Sequence, residues 1–245
     1  MNNILAALHG RKSVRSYLDR PISAEDKEAV LLAACAAPTA GNQQLYTILD
    51  ITDQGLKDKL AVSCDNQPFI AKAPMVLIFC ADCRKWYDAY VEAGQTPRAP
   101  GVGDLVLAVI DASIAAQNAV TAAESLGIGS CYIGDILEQY ETHQEILRLP
   151  EYVIPCAMLV FGYPTEQQKE REKPARCALR HIVHENAYRT MGGSELREMF
   201  GPRSGANGFD SYMKTFCARK YNSDFACEMT RSVAKYLQQF EMPLE

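Results

Sequence analysis

Arginine and serine residues alternate near the start of the chain, in the segment Arg11 to Tyr17 with the sequence RKSVRSY. Successive side chains of an extended strand point to opposite sides, so Arg11, Ser13 and Arg15 would lie on one side. Two guanidinium groups and a hydroxyl on one face can bind an anion such as a phosphate. A solvated basic strand would show the same pattern, and the spacing alone does not distinguish the two interpretations.

Two other segments carry groups suited to an anionic or polar ligand. Pro38 to Gln44, PTAGNQQ, is an amide-rich loop between two apolar elements, and Lys173 to Arg176, KPAR, is a later basic cluster. An ordinary loop also explains the first segment, because proline, glycine and asparagine favour loops for backbone reasons. The groups that could bind a ligand therefore lie far apart in the sequence.

The chain lacks the short motifs of several common catalytic classes: Gly-x-Ser-x-Gly, a Gly-Lys-Ser/Thr phosphate loop and His-Glu-x-x-His. Gly127, Gly129 and Gly134 have part of the spacing of a dinucleotide fingerprint, but they follow a helical stretch rather than a strand. Cys80 and Cys83 have the spacing of a redox or zinc pair, yet no second pair accompanies them, which disfavours metal or disulfide chemistry. Since no obvious nucleophile or acid–base dyad remains, we expect a bound anionic organic cofactor to perform the chemistry.

The longest regular stretch, residues 104–126, is predicted to be a helix of about 22 residues, with Asp104 as its N-cap and Gly127 at its left-handed C-terminus. It is apolar on nearly every face and must be covered on all sides, so we expect it to pack on a sheet and on another subunit. Its polar residues are too many for a membrane span: Asp111, Ser113, Gln117, Asn118 and Glu124.

Other elements follow from apolar runs and turn residues. Buried strands are predicted at 45–52, 74–81, 130–133 and 154–162. Asp135 to Glu138 resembles a capping box and predicts a helix that continues to about Leu147. Five of the fifteen glycines lie between residues 192 and 208, which indicates a linker-like excursion before two polar helices at 210–221 and 223–240.

Composition narrows the class of protein. A chain of 245 residues with 48% apolar and 22% charged residues is expected to be globular with a substantial core. The net charge of −5 argues against nucleic-acid binding. The first ten residues lack the features of a signal peptide, and no segment is predicted to span a membrane. The nine cysteines are then expected to be reduced thiols, and a cytoplasmic location follows.

In their order and spacing, these segments resemble the nitroreductase family of FMN-dependent oxidoreductases. RKSVRSY is similar to the family's opening motif. Four segments follow it in the family's order: Pro38–Gln44, Asn66–Phe69 before an Ala-Pro strand, Gly127–Gly134 after the central helix, and Lys173–Arg176 before a Val-His-Glu-Asn tract. The resemblance covers residues 1–190, and the tail is similar to the C-terminal helices of one bacterial branch.

The resemblance implies an α+β fold, an α-β-α sandwich around a mostly antiparallel sheet, in an intertwined homodimer with two FMN sites at the interface. It also implies a division of the chain into an FMN-binding domain at residues 1–190 and a C-terminal helical extension at residues 191–245.

The resemblance implies a cofactor site assembled from many segments: Arg11, Lys12, Ser13, Arg15, Pro38, Thr39, Ala40, Asn42, Gln67, Ile133, Gly134, Lys173 and Arg176. Arg11 and Ser13 would bind the phosphate and ribityl chain of FMN. Arg15 would be the cation beside the pyrimidine carbonyl and N1 of the flavin.

The remaining groups would complete the site. The loop Pro38–Asn42 would come from the other subunit, and Gln67 would meet the edge of the flavin ring. Backbone N–H groups of Ile133–Gly134 would lie near flavin N5 and O4. Arg176, together with Lys173, would complete the phosphate site.

The implied reaction passes hydride from NAD(P)H to flavin N5 and then to an electron-accepting small molecule: a nitroaromatic, a quinone or a flavin. No side chain would act as acid, base or nucleophile, and Arg15 would stabilise the charge of the reduced ring. A flavin-binding carrier or sensor without turnover is the alternative, and specialised flavin reactions such as dehalogenation also stay open.

Overall fold

Four strands form one antiparallel sheet within residues 2–241, the part of the chain that the computed structural model describes. They are β1 (Tyr46–Asp50), β2 (Met75–Asp82), β3 (Gly129–Ile133) and β4 (Val153–Gly162), in the spatial order β1-β2-β4-β3. Every neighbouring pair is antiparallel. The ends of all four strands lie within two residues of the ends of the apolar runs that predicted them. The expected α+β architecture with an antiparallel sheet is confirmed.

The described residues also form α-helices along the whole chain. They are α1 (Asn3–Gly10), α2 (Ala24–Cys35), α3 (Gln54–Ser63), α4 (Pro68–Ala71), α5 (Arg84–Glu92), α6 (Val102–Ser125), α7 (Tyr140–Ile146), α8 (Glu166–Glu170), α9 (Gly193–Ser204), α10 (Gly208–Lys220) and α11 (Asp224–Leu237). Short 3-10 turns include Ala40–Asn42 and Gly134–Leu137.

Both faces of the sheet are covered, which explains why β2 and β4 are continuous apolar runs rather than alternating ones. On β2, Leu77 and Phe79 pack with α2 and α6 on one face of the sheet. Val76 and Ile78 of the same strand pack with α3 and α4 on the other face. The helices and the sheet therefore form the expected three layers.

The central helix α6 packs on the sheet through small side chains. Its fully buried alanines are Ala108, Ala112, Ala115, Ala116, Ala119 and Ala123. At other positions it exposes large apolar side chains, among them Leu107 and Ile110. The helix begins before the predicted N-cap, because the Asp104 carboxylate, now at the third helical position, accepts a hydrogen bond from Gly101 N at 2.8 Å. By length and composition α6 could also cross a membrane. In this structure 44% of its most apolar stretch of 18 residues is buried inside the protein.

Two further local predictions are wrong. No long helix starts at Asp135: a 3-10 turn occupies Gly134–Leu137, and Gln139 then adopts a left-handed φ of 48°, which delays α7 to Tyr140. The glycine-rich segment predicted as a linker contains α9. Its first turn is stabilised by Glu195, whose carboxylate accepts from Gly192 N at 3.1 Å, and this cap offsets the low helix propensity of glycine.

By their internal contacts the described residues divide into two compact units. The first contains residues 2–171 and 228–241, and the second contains Glu172–Cys227. Within the first unit, Tyr236 and Phe240 are buried with Leu45 and Leu105, so residues 228–241 contribute to the core of that unit. The division at residue 190 into an FMN-binding domain and an extension stays a prediction.

Candidate active site

The segment from Arg11 to Arg15 runs beside β3 and is held there by Val14. The Val14 N–H donates to the Ser130 carbonyl oxygen at 2.9 Å, and the Val14 side chain is buried against Gly129. A Cβ at Gly129 would come within 2.5 Å of Val14 Cγ2, so only glycine permits this approach. Gly129, which resembled part of a dinucleotide fingerprint, therefore has a packing role.

Arg11, Ser13 and Arg15 all act on one buried group, the thiol of Cys131 on β3. Burial raises the pKa of this thiol, and the charge of Arg15, together with hydrogen bonding from Ser13 and Arg15 and the charge of Arg11, opposes that rise. Arg11 Nε is buried and has no hydrogen-bond partner among the described residues. Two guanidinium groups and a hydroxyl thus lie on one face, called here the arginine face (Arg11, Ser13 and Arg15). One of its donors is unsatisfied, an arrangement suited to an anionic ligand.

Lys12 and Val14 line the same surface cavity, which Arg11, Ser13 and Arg15 do not line. Lys12 Nζ donates to the backbone carbonyl oxygens of Lys169 and Arg171, at the C-terminal end of α8. Arg171 in turn donates to the Ser13 carbonyl oxygen at 2.6 Å. These contacts fix the segment in place, and the implied role of Lys12 in cofactor binding stays a prediction.

The loop Pro38–Gln44 is anchored by a residue that sequence reasoning did not assign, Asp111 of α6. The Asp111 carboxylate accepts from the Thr39 hydroxyl, from Ala40 N at 3.0 Å and from Leu45 N at 3.2 Å. Its side chain lies in the interior, with the residue only 2% exposed. An isolated acid in a helix that is apolar on nearly every face was the signal that could have revealed it.

The backbone of this loop is unusual at three positions. Gly41, Asn42 and Gln44 have φ angles of 56°, 57° and 51°, in the left-handed region. Trp86 Nε1 donates to the Gln43 carbonyl oxygen at 2.8 Å and closes the loop from α5. Within the described residues, no hydrogen bond or ion pair joins the loop to the arginine face. Its implied place in a partner subunit's site stays a prediction.

Gln67 and the end of β3 lie near the arginine face. The Arg15 guanidinium carbon is 5.8 Å from the ring centroid of Phe69, two residues after Gln67. Gln67 itself is fixed by Nε2, which donates to the Cys64 carbonyl oxygen at 2.8 Å. Ile133 and Gly134 lie two and three residues after Cys131, where β3 ends and the 3-10 turn begins. The first unit therefore gathers Arg11, Ser13, Arg15, the Gln67 segment and the Ile133–Gly134 turn.

Lys173 and Arg176 belong to the second compact unit. In this unit Arg203 donates to the Ala175 carbonyl oxygen at 3.4 Å, which ties the KPAR segment to α9. Their implied role at the phosphate of a cofactor stays a prediction.

A second buried acid, Glu138, was also missed. The residue is 6% exposed, and Oε1 has no hydrogen-bond partner among the described residues. Burial raises the pKa of Glu138 to about 7, and the negative charges of Asp135, Asp65 and Glu228 add to this shift. Nothing in the sequence separated Glu138 from an ordinary helix-capping acid.

The Cys80–Cys83 pair lies in the interior of the protein. Both residues are buried free cysteines. Burial raises the pKa of both thiols, to about 12 for Cys83, which keeps them protonated near neutral pH. In the part of the chain that is described, no three histidine, cysteine or acidic side chains are grouped as a metal site would require.

The family model described as "Nitroreductase family" matches residues 8–163, a range that includes the arginine face, the Pro38–Gln44 loop, Gln67 and the end of β3. The chain belongs to the Nitroreductase family. This match covers more than half of the sequence and confirms the resemblance drawn from the motifs.

Two reductases and one solved structure are similar to this chain over most of its length. The protein named FMN reductase (NADPH) from Bacillus subtilis strain 168 is 32% identical over 190 residues, 77% of this chain and 75% of that protein. The protein named oxygen-insensitive NADPH nitroreductase from Salmonella typhimurium strain LT2 is 32% identical over 192 residues, 78% of this chain and 77% of that protein. The solved structure of NfrA2 from B. megaterium has a TM-score of 0.81 and 29% identity, and covers 99% of this chain and 100% of that one.

Proposed function

We propose that this protein is an FMN-dependent oxidoreductase that passes hydride from NAD(P)H, through the flavin, to a small-molecule acceptor such as a nitroaromatic, a quinone or a flavin. The observation that carries the proposal is the convergence of Arg11, Ser13 and Arg15 beside the end of β3 in a Nitroreductase family chain. The two relatives named above are reductases, which favours an enzyme over the carrier or sensor alternative.

The residues present fit FMN. The cofactor is a phosphate monoester, and the buried Arg11 Nε offers it a donor that no described residue uses. Within the described chain, neither Arg11 nor Arg15 forms an ion pair with a carboxylate. Two guanidinium groups on one face would bind a dianion without first breaking an ion pair with a carboxylate.

When bound, FMN supplies hydride acceptance and donation at N5. Arg11 and Ser13 would hold its phosphate and ribityl chain, and Arg176 with Lys173 would add to the phosphate site. Arg15 would place a fixed positive charge at the pyrimidine end, where it stabilises the negative charge of the reduced state without reorganisation. Gln67 and the Ile133–Gly134 backbone would fix the ring edge.

We also propose a homodimer, located in the cytoplasm. In the single chain Leu107 and Ile110 of α6 are 46% and 48% exposed, which is unusual for large side chains at the centre of a core helix. The Pro38–Gln44 loop is anchored on the same helix by Asp111, so a partner covering α6 would meet this loop. Replacing Ile110 by Asp should shift sedimentation toward monomer, whereas the exposed Lys59→Gln control should stay dimeric. A variant that remains fully dimeric would contradict this interface.

The function is tested on the purified protein under anaerobic conditions. We expect a yellow protein with about one FMN per chain, identified by chromatography after heat release. NADPH or NADH should bleach the bound flavin, and a panel of nitroaromatic, quinone and flavin acceptors should restore the colour. FAD, or no flavin after reconstitution, would overturn the cofactor. A bound flavin that no nicotinamide reduces would support the carrier or sensor instead.

A further inference from the structure

A basic cleft of about 930 Å³ begins at Arg15 and lies wholly within the first compact unit. It extends along Ser16–Pro21 to α3 and to the connection between α4 and β2. Its charged lining consists of Arg15, Arg20, Lys57, Lys72 and a single acid, Asp19. The whole chain carries a net charge of −5, so this local excess of positive charge runs against the average of the protein.

Three cations of this cleft are not held in ion pairs among the described residues. In the described part of the chain, Arg20, Lys57 and Lys72 form no ion pair with a carboxylate. Arg20 is instead positioned by an aromatic ring, with its guanidinium carbon 3.8 Å from the centroid of Tyr163. This contact orients the group and leaves its positive charge uncompensated.

Lys57 is the most informative of these residues, because it is almost fully buried, at 8% exposure. Its Nζ donates to the Ala73 carbonyl oxygen at 3.1 Å, and no other described group accepts a hydrogen bond from it. Burial lowers the pKa of the Lys57 ammonium group; the negative charge of Asp50 opposes this shift, and the positive charge of Lys27 adds to it. A buried ammonium with one neutral partner lacks the solvation that a bound anion would supply.

We propose that this cleft binds the phosphate monoester of a substrate of the oxidoreductase reaction, a proposal that rests on the function stated above. Several converging cations favour a dianion over a single carboxylate, and the volume suits a group of nucleotide size. Arg15 lines both the cleft and the arginine face, so a substrate held here lies next to the cofactor site. The phosphate of the resident FMN is assigned to Arg11, which does not line this cleft.

Two substrates carry this chemistry: NADPH through its 2′-phosphate, and free FMN as an acceptor through its 5′-phosphate. NADH and riboflavin are the matching compounds without the monoester. The test therefore uses two ratios of kcat/KM, NADPH over NADH and FMN over riboflavin, measured on the FMN-loaded enzyme. Lys72→Gln and Lys57→Gln remove one charge each. Lys59→Gln is the matched control, because Lys59 lies on α3 with Lys57 but is exposed and outside the cleft.

Loss of one charge-assisted contact should lower one of the two ratios about tenfold, while the other ratio and the control stay near wild type. A fall in the nicotinamide ratio assigns the cleft to the 2′-phosphate, and a fall in the flavin ratio assigns it to the acceptor. If Lys57→Gln fails to fold, the exposed Lys72→Gln alone decides. Unchanged ratios in a folded Lys72→Gln variant and in its double variant with Arg20→Gln would overturn the proposal.

A binding measurement separates this proposal from the proposed function. Calorimetry on the FMN-loaded protein should show tighter binding of 2′-AMP than of adenosine, or tighter binding of free FMN than of riboflavin, and Lys72→Gln should lower that preference about tenfold. If no nicotinamide reduces the bound flavin, the proposed function fails, yet this preference still reports on the cleft. Equal binding within both pairs of compounds would remove the phosphate site whatever the activity shows.

Discussion

Two buried carboxylates lie beside the segments assigned to the cofactor, and their surroundings are opposite. Asp111, beneath the Pro38–Gln44 loop, accepts three hydrogen bonds from Thr39, Ala40 and Leu45. Glu138, just after the Ile133–Gly134 turn, has an oxygen without any partner in the described residues and three acidic neighbours. Two carboxylates with similar burial therefore differ in role: Asp111 anchors a loop, whereas the surroundings of Glu138 disfavour its ionised form.

The difference shows that burial alone does not set the role of an acid. Removing a carboxylate that accepts several hydrogen bonds leaves its donors unsatisfied. A carboxylate without donors and next to other carboxylates is stabilised in its neutral form. We expect the first to contribute stability through structure and the second to make stability depend on pH.

The largest expected effect comes from Asp111→Ala. The substitution leaves the Thr39 hydroxyl and two backbone N–H groups without their acceptor, and we expect the free energy of unfolding to fall by about 4 kcal/mol. Asp111→Asn keeps one oxygen acceptor and should cost about half as much. Urea unfolding of the two variants measures the difference. Equal losses would show that the hydrogen bonds to the carboxylate do not hold the loop.

Glu138→Gln should produce a smaller effect of opposite sign that depends on pH. In the unfolded chain Glu138 ionises near its ordinary pKa of 4.5, whereas in the folded protein burial raises that pKa to about 7. Between these values the folded state binds more protons, so the free energy of unfolding falls as pH rises and levels off above pH 7. Removing the group should stabilise the protein by up to about 3 kcal/mol at pH 8 and by almost nothing at pH 4.

Unfolding curves at pH 4, 6 and 8 test this prediction. Glu145→Gln is the control, because Glu145 is an exposed glutamate on α7 and should leave the pH dependence as in wild type. A constant difference between wild type and Glu138→Gln at all three pH values would mean that Glu138 ionises normally.

The same comparison shows what the sequence could predict. The strands and the buried helix α6 could be predicted from apolar runs, because an element that is buried on both faces consists mostly of apolar residues. The arginine face followed from the period of two. Asp111 and Glu138 could not be distinguished, since their roles depend on which donors and acids the fold brings near them from distant segments. Helix starts were also misplaced: a single left-handed residue, Gln139, changed the start of α7.

The residues assigned to the cofactor also differ in how far the sequence could predict their roles. The order of the motifs along the chain identified the segments of the candidate cofactor site. In the fold, Arg11, Ser13 and Arg15 all act on the Cys131 thiol. Lys12 matched the motif equally well, yet its ammonium group contacts backbone carbonyl oxygens of Lys169 and Arg171. The sequence of a motif alone does not show which of its side chains contact the protein and which are available to a ligand.

The smallest expected effect concerns the reduction potential of bound FMN, and it tests whether the charge of Arg15 sets that potential. Arg15→Gln removes the positive charge assigned to the pole of the flavin that becomes negative on reduction. If the charge stabilises the reduced form by about 1.4 kcal/mol more than the oxidised form, its loss lowers the two-electron potential by about 30 mV. Hydride transfer from NAD(P)H should slow as well, because the same charge already develops in the transition state.

Two further variants make this result specific. Arg176→Gln removes a charge assigned to the FMN phosphate, whose charge is the same in both redox states, so it should weaken FMN binding with little change in potential. Asp111→Asn alters an anchor and should leave the potential of bound FMN unchanged, even where it lowers stability. Spectroelectrochemistry of the wild type and the three variants, each saturated with FMN, compares them directly. Equal potentials in all four proteins would make Arg15 a structural or phosphate-binding arginine, because a charge that distinguishes the redox states of a bound group must shift their equilibrium.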